Sequence, residues 1–281
     1  MSHLLEVENL KVRFRSRTGA VDAVDDISFH MDEGEIVGMV GKSGCGKTMS
    51  QLAVMQLVPE SGAIDGRVLF EDRDLLTLPP GSKAMCAIRG KKIAMIFQEP
   101  ASALNPVLTI GTQVTEMLEI HSGMSRRQAK NRAVELLIRV GIRNAEERVN
   151  DYPHQFSGGM RQRVMIAIAL SCKPRILIAD EPTSSLDASI QAQILELLKE
   201  LVEQSNTAMM FVSHDLDLVA RYTQRVYVMR AGRIIESGKC RDVFRDFNGY
   251  ERNSDRSKAV KEIFPHNQGI ASANRRGDKS G

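Results

Sequence analysis

No two cysteines in the sequence have the spacing of a metal clip or a redox motif. Cys45, Cys86, Cys172 and Cys240 are the only four, and they stand far apart. Neither a zinc site nor a disulfide framework is expected, and a reducing compartment is the default. Long apolar runs are also missing. Nothing approaches the roughly 20 residues that a membrane-spanning helix needs, and the longest candidates are strand-sized, such as 176–179. The opening, MSHLLEVENLKVRF, alternates apolar with polar residues and carries charge early, unlike the basic-then-apolar layout of a secretory signal. A soluble or peripheral chain that is not exported is therefore expected. A large charge of one sign is absent too: 38 basic and 35 acidic residues leave a net charge of +3. That balance gives no electrostatic ground for a nucleic-acid partner, and none is expected.

What is present suffices for one large domain, or a domain with a subdomain, since 281 residues can bury a substantial core. The alternation in LEVENLKVRF and AVDAVDDISFHM predicts two strands, followed by a turn at Asp32-Glu33-Gly34 and an apolar strand over 36–40 that leads into a glycine-rich loop. A helix is predicted over 49–57, and strands over 66–70 and 92–97. From 110 to about 141 the pattern is helical, charged and rich in Ala, Leu, Glu and Arg, with Ser125 placed as a helix cap. Beyond it, strands at 176–179 and 208–212 alternate with helices at 189–204 and 216–222, the pattern of a parallel sheet. The fold class is α/β. Residues 245–281 are mostly Asn, Asp, Arg, Lys, Ser and Gly; they read as a polar, poorly ordered tail, with a short helix near 258–263 as the alternative.

Gly41-Lys42-Ser43-Gly44-Cys45-Gly46-Lys47-Thr48 fits GxxxxGK[ST] between a predicted strand and a predicted helix. In such a loop the glycines let backbone N–H groups curl around phosphate oxygens, and the helix N-terminus adds favourable partial charge. Lys47 then reaches the β and γ phosphates and Thr48 offers its hydroxyl to Mg²⁺. Cys45 inherits the electropositive setting of this loop, which favours its thiolate. The second half of the site is Arg175-Ile176-Leu177-Ile178-Ala179-Asp180-Glu181, an apolar strand ending in two acids. Asp180 is expected in the Mg²⁺ shell. Glu181, pointing differently, is expected to act as general base on a water aligned with the γ-phosphate.

Many nucleotide hydrolases share those two elements. Phe156-Ser157-Gly158-Gly159-Met160-Arg161-Gln162-Arg163 resembles the signature sequence of ABC ATPases and lies about 20 residues before the acidic strand, as it does in that family. Three further stretches fall in family order. Gln98 in Ile96-Phe97-Gln98-Glu99-Pro100 looks like the Q-loop glutamine, Ser185-Leu186-Asp187 like the D-loop, and His214 in Val212-Ser213-His214-Asp215 like the switch histidine. The resemblance covers about residues 4–244. It implies a P-loop, RecA-like core with an N-terminal antiparallel β subdomain and a helical signature subdomain at about 99–170. Gln98 would sense metal and water, and His214 would contact the γ-phosphate. Phe14 sits where the family stacks an aromatic on adenine; a plain core position is the alternative. Ser157, Gly158 and Gly159 make a second phosphate-binding helix start, too far from this chain's own loop to serve its own nucleotide. They would serve a second cassette, identical or not, in a composite site, and Asp187 of the D-loop is a further candidate nucleotide-binding residue.

The phrases Phe97-Gln98-Glu99-Pro100-Ala101-Ser102-Ala103-Leu104-Asn105-Pro106 and Tyr152-Pro153-His154-Gln155-Phe156 look like the dipeptide and oligopeptide importer branch, which also contains nickel and glutathione importers. That resemblance implies an ATP-hydrolysing subunit on the cytoplasmic face of the inner membrane. It would sit beneath two permease subunits fed by an extracytoplasmic solute-binding protein. An ATPase serving a soluble complex, as in carbon–phosphorus lyase, is the alternative. The sequence departs from the branch at Lys42, where an acid is usual, at Cys45, where serine is common, and at Ser184-Ser185, where Thr-Ala is usual. After Phe244 it lacks the usual His-Pro-Tyr segment, and with no cysteine past Cys240 no iron–sulfur cluster is expected.

Overall fold

The computed structural model describes residues 3–16, 19–98 and 103–244. They form two compact units, one of the described residues up to Leu78 and from Met210 onward, the other of Pro79–Met209. The α/β class expected from the sequence is the one found.

The first unit begins with β1 (Leu5–Ser16) and β2 (Gly19–Met31), paired antiparallel with Leu5 opposite Met31 and Val12 opposite Val24. The period-2 burial of β1 changes phase midway, from Leu5 and Val7 to Leu10 and Val12. Asn9 and Asp26, at φ 48° and 60°, lie at that register shift and are hydrogen-bonded to each other at 3.2 Å. This bulge keeps all four apolar residues on the core face despite their odd spacing. Next comes β3 (Ile36–Gly41), buried at all six positions, then a loop and α1 (Lys47–Val54). The helix starts two residues earlier and ends three residues earlier than its sequence suggests, because Gly46 opens it and Gln56, at φ 49°, ends it. β4 (Gly62–Phe70) and β5 (Arg73–Asp74) complete an antiparallel sheet in the order β2-β1-β4-β5.

The second unit opens with α2 (Lys83–Cys86) and β6 (Ile93–Ile96). Helices α3 (Ile110–Ser122) and α4 (Arg126–Arg139) divide at Gly123, a left-handed C-cap at φ 64°. Ser125 caps α4 as expected, in a reciprocal capping box with Gln128. Then follow α5 (Ala145–Arg148), α6 (Gly158–Leu170), β7 (Ile176–Asp180) and α7 (Ala188–Ser205). β6 and β7 are fully buried and parallel, Ile93 pairing with Ile176 and Ile96 with Ala179.

β8 (Ala208–Ser213) carries the chain back to the first unit, where α8 (Leu216–Tyr222), β9 (Arg225–Arg230), β10 (Arg233–Lys239) and α9 (Cys240–Val243) follow. In that unit the strands lie in the order β10-β9-β3-β8, with β9 parallel to β3 and antiparallel to β10. Gly38 in β3 lets α8 approach, since a Cβ there would collide with Val219. At the start of β9 the Arg225 guanidinium holds Glu35 through two bonds of 2.6 and 3.0 Å and donates to Tyr227 Oη and the His30 carbonyl, both at 3.0 Å. This fork fixes the turn before β3 to the strand beside it, and the Glu35 contact raises the guanidinium pKa further. Residues 99–102 and 245–281, and with them the expected polar tail and the alternative of a helix near 258–263, lie outside the described residues.

Candidate functional site

The phosphate loop joins β3 to α1 within the first unit. Gly44 and Gly46 take φ values of 78° and 107°, which L side chains rarely adopt. At Gly46 a Cβ would also press on the Ala23 carbonyl. Gly46 is the N-cap of α1 and supplies no side-chain acceptor, and no acid stands in the first turn. The N–H groups at this helix start are therefore left for an anion. Lys47 is 5% exposed, and its Nζ donates to the carbonyls of Gly41 at 2.8 Å and Lys42 at 3.2 Å. From there it can exchange loop carbonyls for phosphate oxygens. Thr48 and Ser43 are exposed on the same loop. A cleft of about 280 Å³ is lined by Lys42, Ser43, Gly44, Cys45, Met229, Arg230 and Ala231.

Cys45 corrects the sequence reading. Its side chain is buried, and burial pushes the thiol pKa up more than Lys47 pulls it down. The loop is electropositive, but desolvation of a thiolate wins. Phe14 is half-buried on β1, opposite Val21 and Gly62. Its ring edge fills the space that a Cβ at position 62 would take. His214 is exposed just after β8, the neighbour of β3.

In the second unit the parallel pairing of β6 and β7 brings their ends together, and with them two residues 83 positions apart. Gln98 Nε2 donates to Glu181 Oε2 at 3.0 Å. Asp180 is 2% exposed at the end of β7. Glu181 is half-buried with φ 45°, so the two acids differ through a left-handed backbone kink and not through strand alternation alone. Non-glycine residues in that region store strain of about 1–3 kcal/mol, commonly at functional sites.

Ser157 caps α6, its Oγ accepting from Met160 N at 3.4 Å. Asp187 caps α7, its Oδ1 accepting from Ile190 N at 3.0 Å. The two helix starts pack together: a Cβ on Gly158 would touch Leu186 at 3.4 Å, and one on Gly159 would lie 2.7 Å from Ile190. A side chain at 159 would therefore need Ile190 to shift.

Sequence reasoning passed over Met229, Arg230 and Ala231, which line the cleft, and Gly232, whose N–H donates to the Cys45 carbonyl at 2.9 Å. All belong to the β9–β10 hairpin. The apolar run in Arg225-Val226-Tyr227-Val228-Met229 was the available signal, but no Asn-Gly or Asp-Gly turn follows it. Ala231 and Gly232 make the turn instead, at φ 48° and 80°.

A family model described as ABC transporter matches residues 24–184. The chain belongs to the ABC transporter family. This ABC protein is 50% identical over 246 residues to the oligopeptide transport ATP-binding protein AppD of Bacillus subtilis, covering 87% of this chain and 74% of the relative. It is 48% identical over 244 residues to the dipeptide transport ATP-binding protein DppD of Haemophilus influenzae, covering 86% and 73%. Among solved structures, the ATP-binding cassette MJ0796, a dimer in a post-hydrolysis state bound to ADP and Pi, superposes with a TM-score of 0.74 at 29% identity, covering 84% of this chain and 99% of that one. The ABC protein is an ATPase that works in transport. No helix among its described residues is long and apolar enough to cross a membrane.

Proposed function

We propose that this ABC protein drives an importer of peptides or related small solutes, as a peripheral subunit on the cytoplasmic face of the inner membrane. Residues 1–244 would form the ATPase domain, working with a second cassette, two permease subunits and an extracytoplasmic binding protein. The names of the relatives support the substrate class. The observation that carries the hydrolytic half is the Gln98–Glu181 hydrogen bond, which joins a candidate metal sensor to a candidate general base.

In this reading Phe14 stacks on the adenine. The loop of Gly41, Ser43, Gly44, Cys45 and Gly46 wraps the phosphates, and Lys47 neutralises their charge. Glu181 takes the proton of the attacking water while His214 steadies charge developing on the γ-phosphate. Thr48, Gln98 and Asp180 offer a hydroxyl, an amide oxygen and a carboxylate, an all-oxygen set that suits Mg²⁺. When bound, the ion would neutralise negative charge on the phosphates. Ser157, Gly158 and Gly159 would act on the partner cassette's nucleotide, and Asp187 is a further candidate nucleotide contact. The rival role beside a soluble enzyme complex finds no counterpart among the relatives above, which are transport proteins.

The test is uptake of a labelled tripeptide by cells that lack this gene, complemented with the wild-type chain or with Glu181→Gln. Restoration by the wild type alone is the expected result. Uptake that is equal in complemented and uncomplemented cells would overturn the peptide reading. Labelled nickel and glutathione arms identify the solute in that case.

A further inference from the structure

Among the described residues, one group of three side chains with metal-binding chemistry has a donor atom from each within 4.8 Å of the others: His3, His30 and Asp32. It lies in the first unit at the opposite end of β3 from the phosphate loop. The five steps from Ile36 to Gly41 separate the two ends by roughly 17 Å, so these residues are remote from the nucleotide. We propose that His3, His30 and Asp32 form a site for a divalent transition-metal ion of the zinc class, distinct from the Mg²⁺ that accompanies ATP.

The donor set argues for that class. Two imidazoles and a carboxylate suit zinc, cobalt or nickel, whereas Mg²⁺ and Ca²⁺ take oxygen ligands. Three protein donors leave a fourth position for water. The backbone holds the three residues close: Leu4 N donates to the Met31 carbonyl at 2.9 Å, and Glu6 pairs with His30 in the β1–β2 ladder. Asp32 N donates to Glu35 Oε2 at 3.1 Å, which ties the turn to the Arg225 fork.

The side chains are already gathered. The His3 and His30 rings stack with centroids 3.9 Å apart, and His3 Nδ1 lies 2.7 Å from Asp32 Oδ1. Tyr227 Oη lies 3.5 Å from His30 Nδ1 and is itself held by Arg225, the kind of outer contact that orients a ligating ring. Tetrahedral coordination at zinc distances needs donors about 3.4 Å apart. The rings must therefore unstack by a small rotation, for which His3, which precedes β1 and is 33% exposed, and Asp32, which is 57% exposed, have room. A bound ion would pin the lead-in to β1 onto the turn before β3.

The experiment is calorimetric titration of zinc chloride into the full chain, purified without a histidine tag and free of nucleotide. Wild type is compared with His3→Ala, Asp32→Asn and the double variant His3→Ala/His30→Gln. One equivalent should bind to the wild type, at least tenfold more weakly to each single variant, and not measurably to the double one. Cobalt chloride should give tetrahedral d–d absorption in the wild type alone. Mg-ATPase activity should be unchanged in His3→Ala, which confirms a folded protein. Zinc binding of equal strength in wild type and double variant, or none in the wild type, would overturn the site and leave only a ring stack with an ion pair.

Discussion

Lys47 places a single positive charge over the phosphate loop, and no neutral side chain replaces it. Lys47→Ala is expected to abolish hydrolysis and weaken ATP binding severely, measured by phosphate release and by fluorescence of a bound nucleotide analogue. Activity within a few-fold of wild type would refute the loop's role. Cys45 makes a finer test, because position and environment point in opposite directions. Burial pushes its thiol pKa up and hides its sulfur, so iodoacetamide should label it far more slowly than the exposed Cys86. Its rate should climb only above the ordinary thiol range. Mass spectrometry of tryptic peptides reads both, and fast labelling of Cys45 at pH 7 would restore the thiolate that the loop's charge alone suggests.

Element by element, the structure depends on close approaches. A methyl group added in Gly159→Ala would press on Ile190, and overpacking of this kind costs about 1–3 kcal/mol. The loss should show in the urea midpoint, and a second substitution, Ile190→Ala, should recover part of it as a non-additive pair. Additive effects would mean that the two helix starts are not in contact. The Arg225–Glu35 fork binds β9 to the turn before β3, with side chains 21% and 15% exposed. Removing one partner of a fully buried pair costs about 3–5 kcal/mol. Partial exposure here reduces the expectation for Glu35→Ala to about 2–3 kcal/mol, again read from the urea midpoint at constant slope. Helices with explicit start signals were legible, as at Ser125. The β9–β10 hairpin was not, because Ala231 takes a left-handed conformation that its residue type does not advertise.

For the whole molecule, the proposed composite site requires two chains. Glu181→Gln keeps size and hydrogen bonding but removes the base. With Mg-ATP it should therefore run as a dimer on a sizing column, alone or with a partner cassette, and ADP should return it to monomer. Ser157→Arg should block that association. A mutant that stays monomeric in every combination would sink the shared site while leaving the loop's nucleotide binding intact.

The sequence by itself determined the chemistry on offer: a glycine loop ending in Lys47 and Thr48, an apolar strand ending in Asp180 and Glu181, and a glycine helix start behind Ser157. Each is a local pattern, readable because a strand, a loop or a cap depends on neighbours a few residues away. The tertiary structure alone decided what surrounds those groups. Gln98 meets Glu181 across 83 positions because β6 and β7 pair. Gly159 must stay small because Ile190 lies against it, and burial pushes the Cys45 thiol pKa up despite the charge of Lys47. Burial, close packing and long-range pairing are sums over residues distant in the chain, and no local window of sequence contains them.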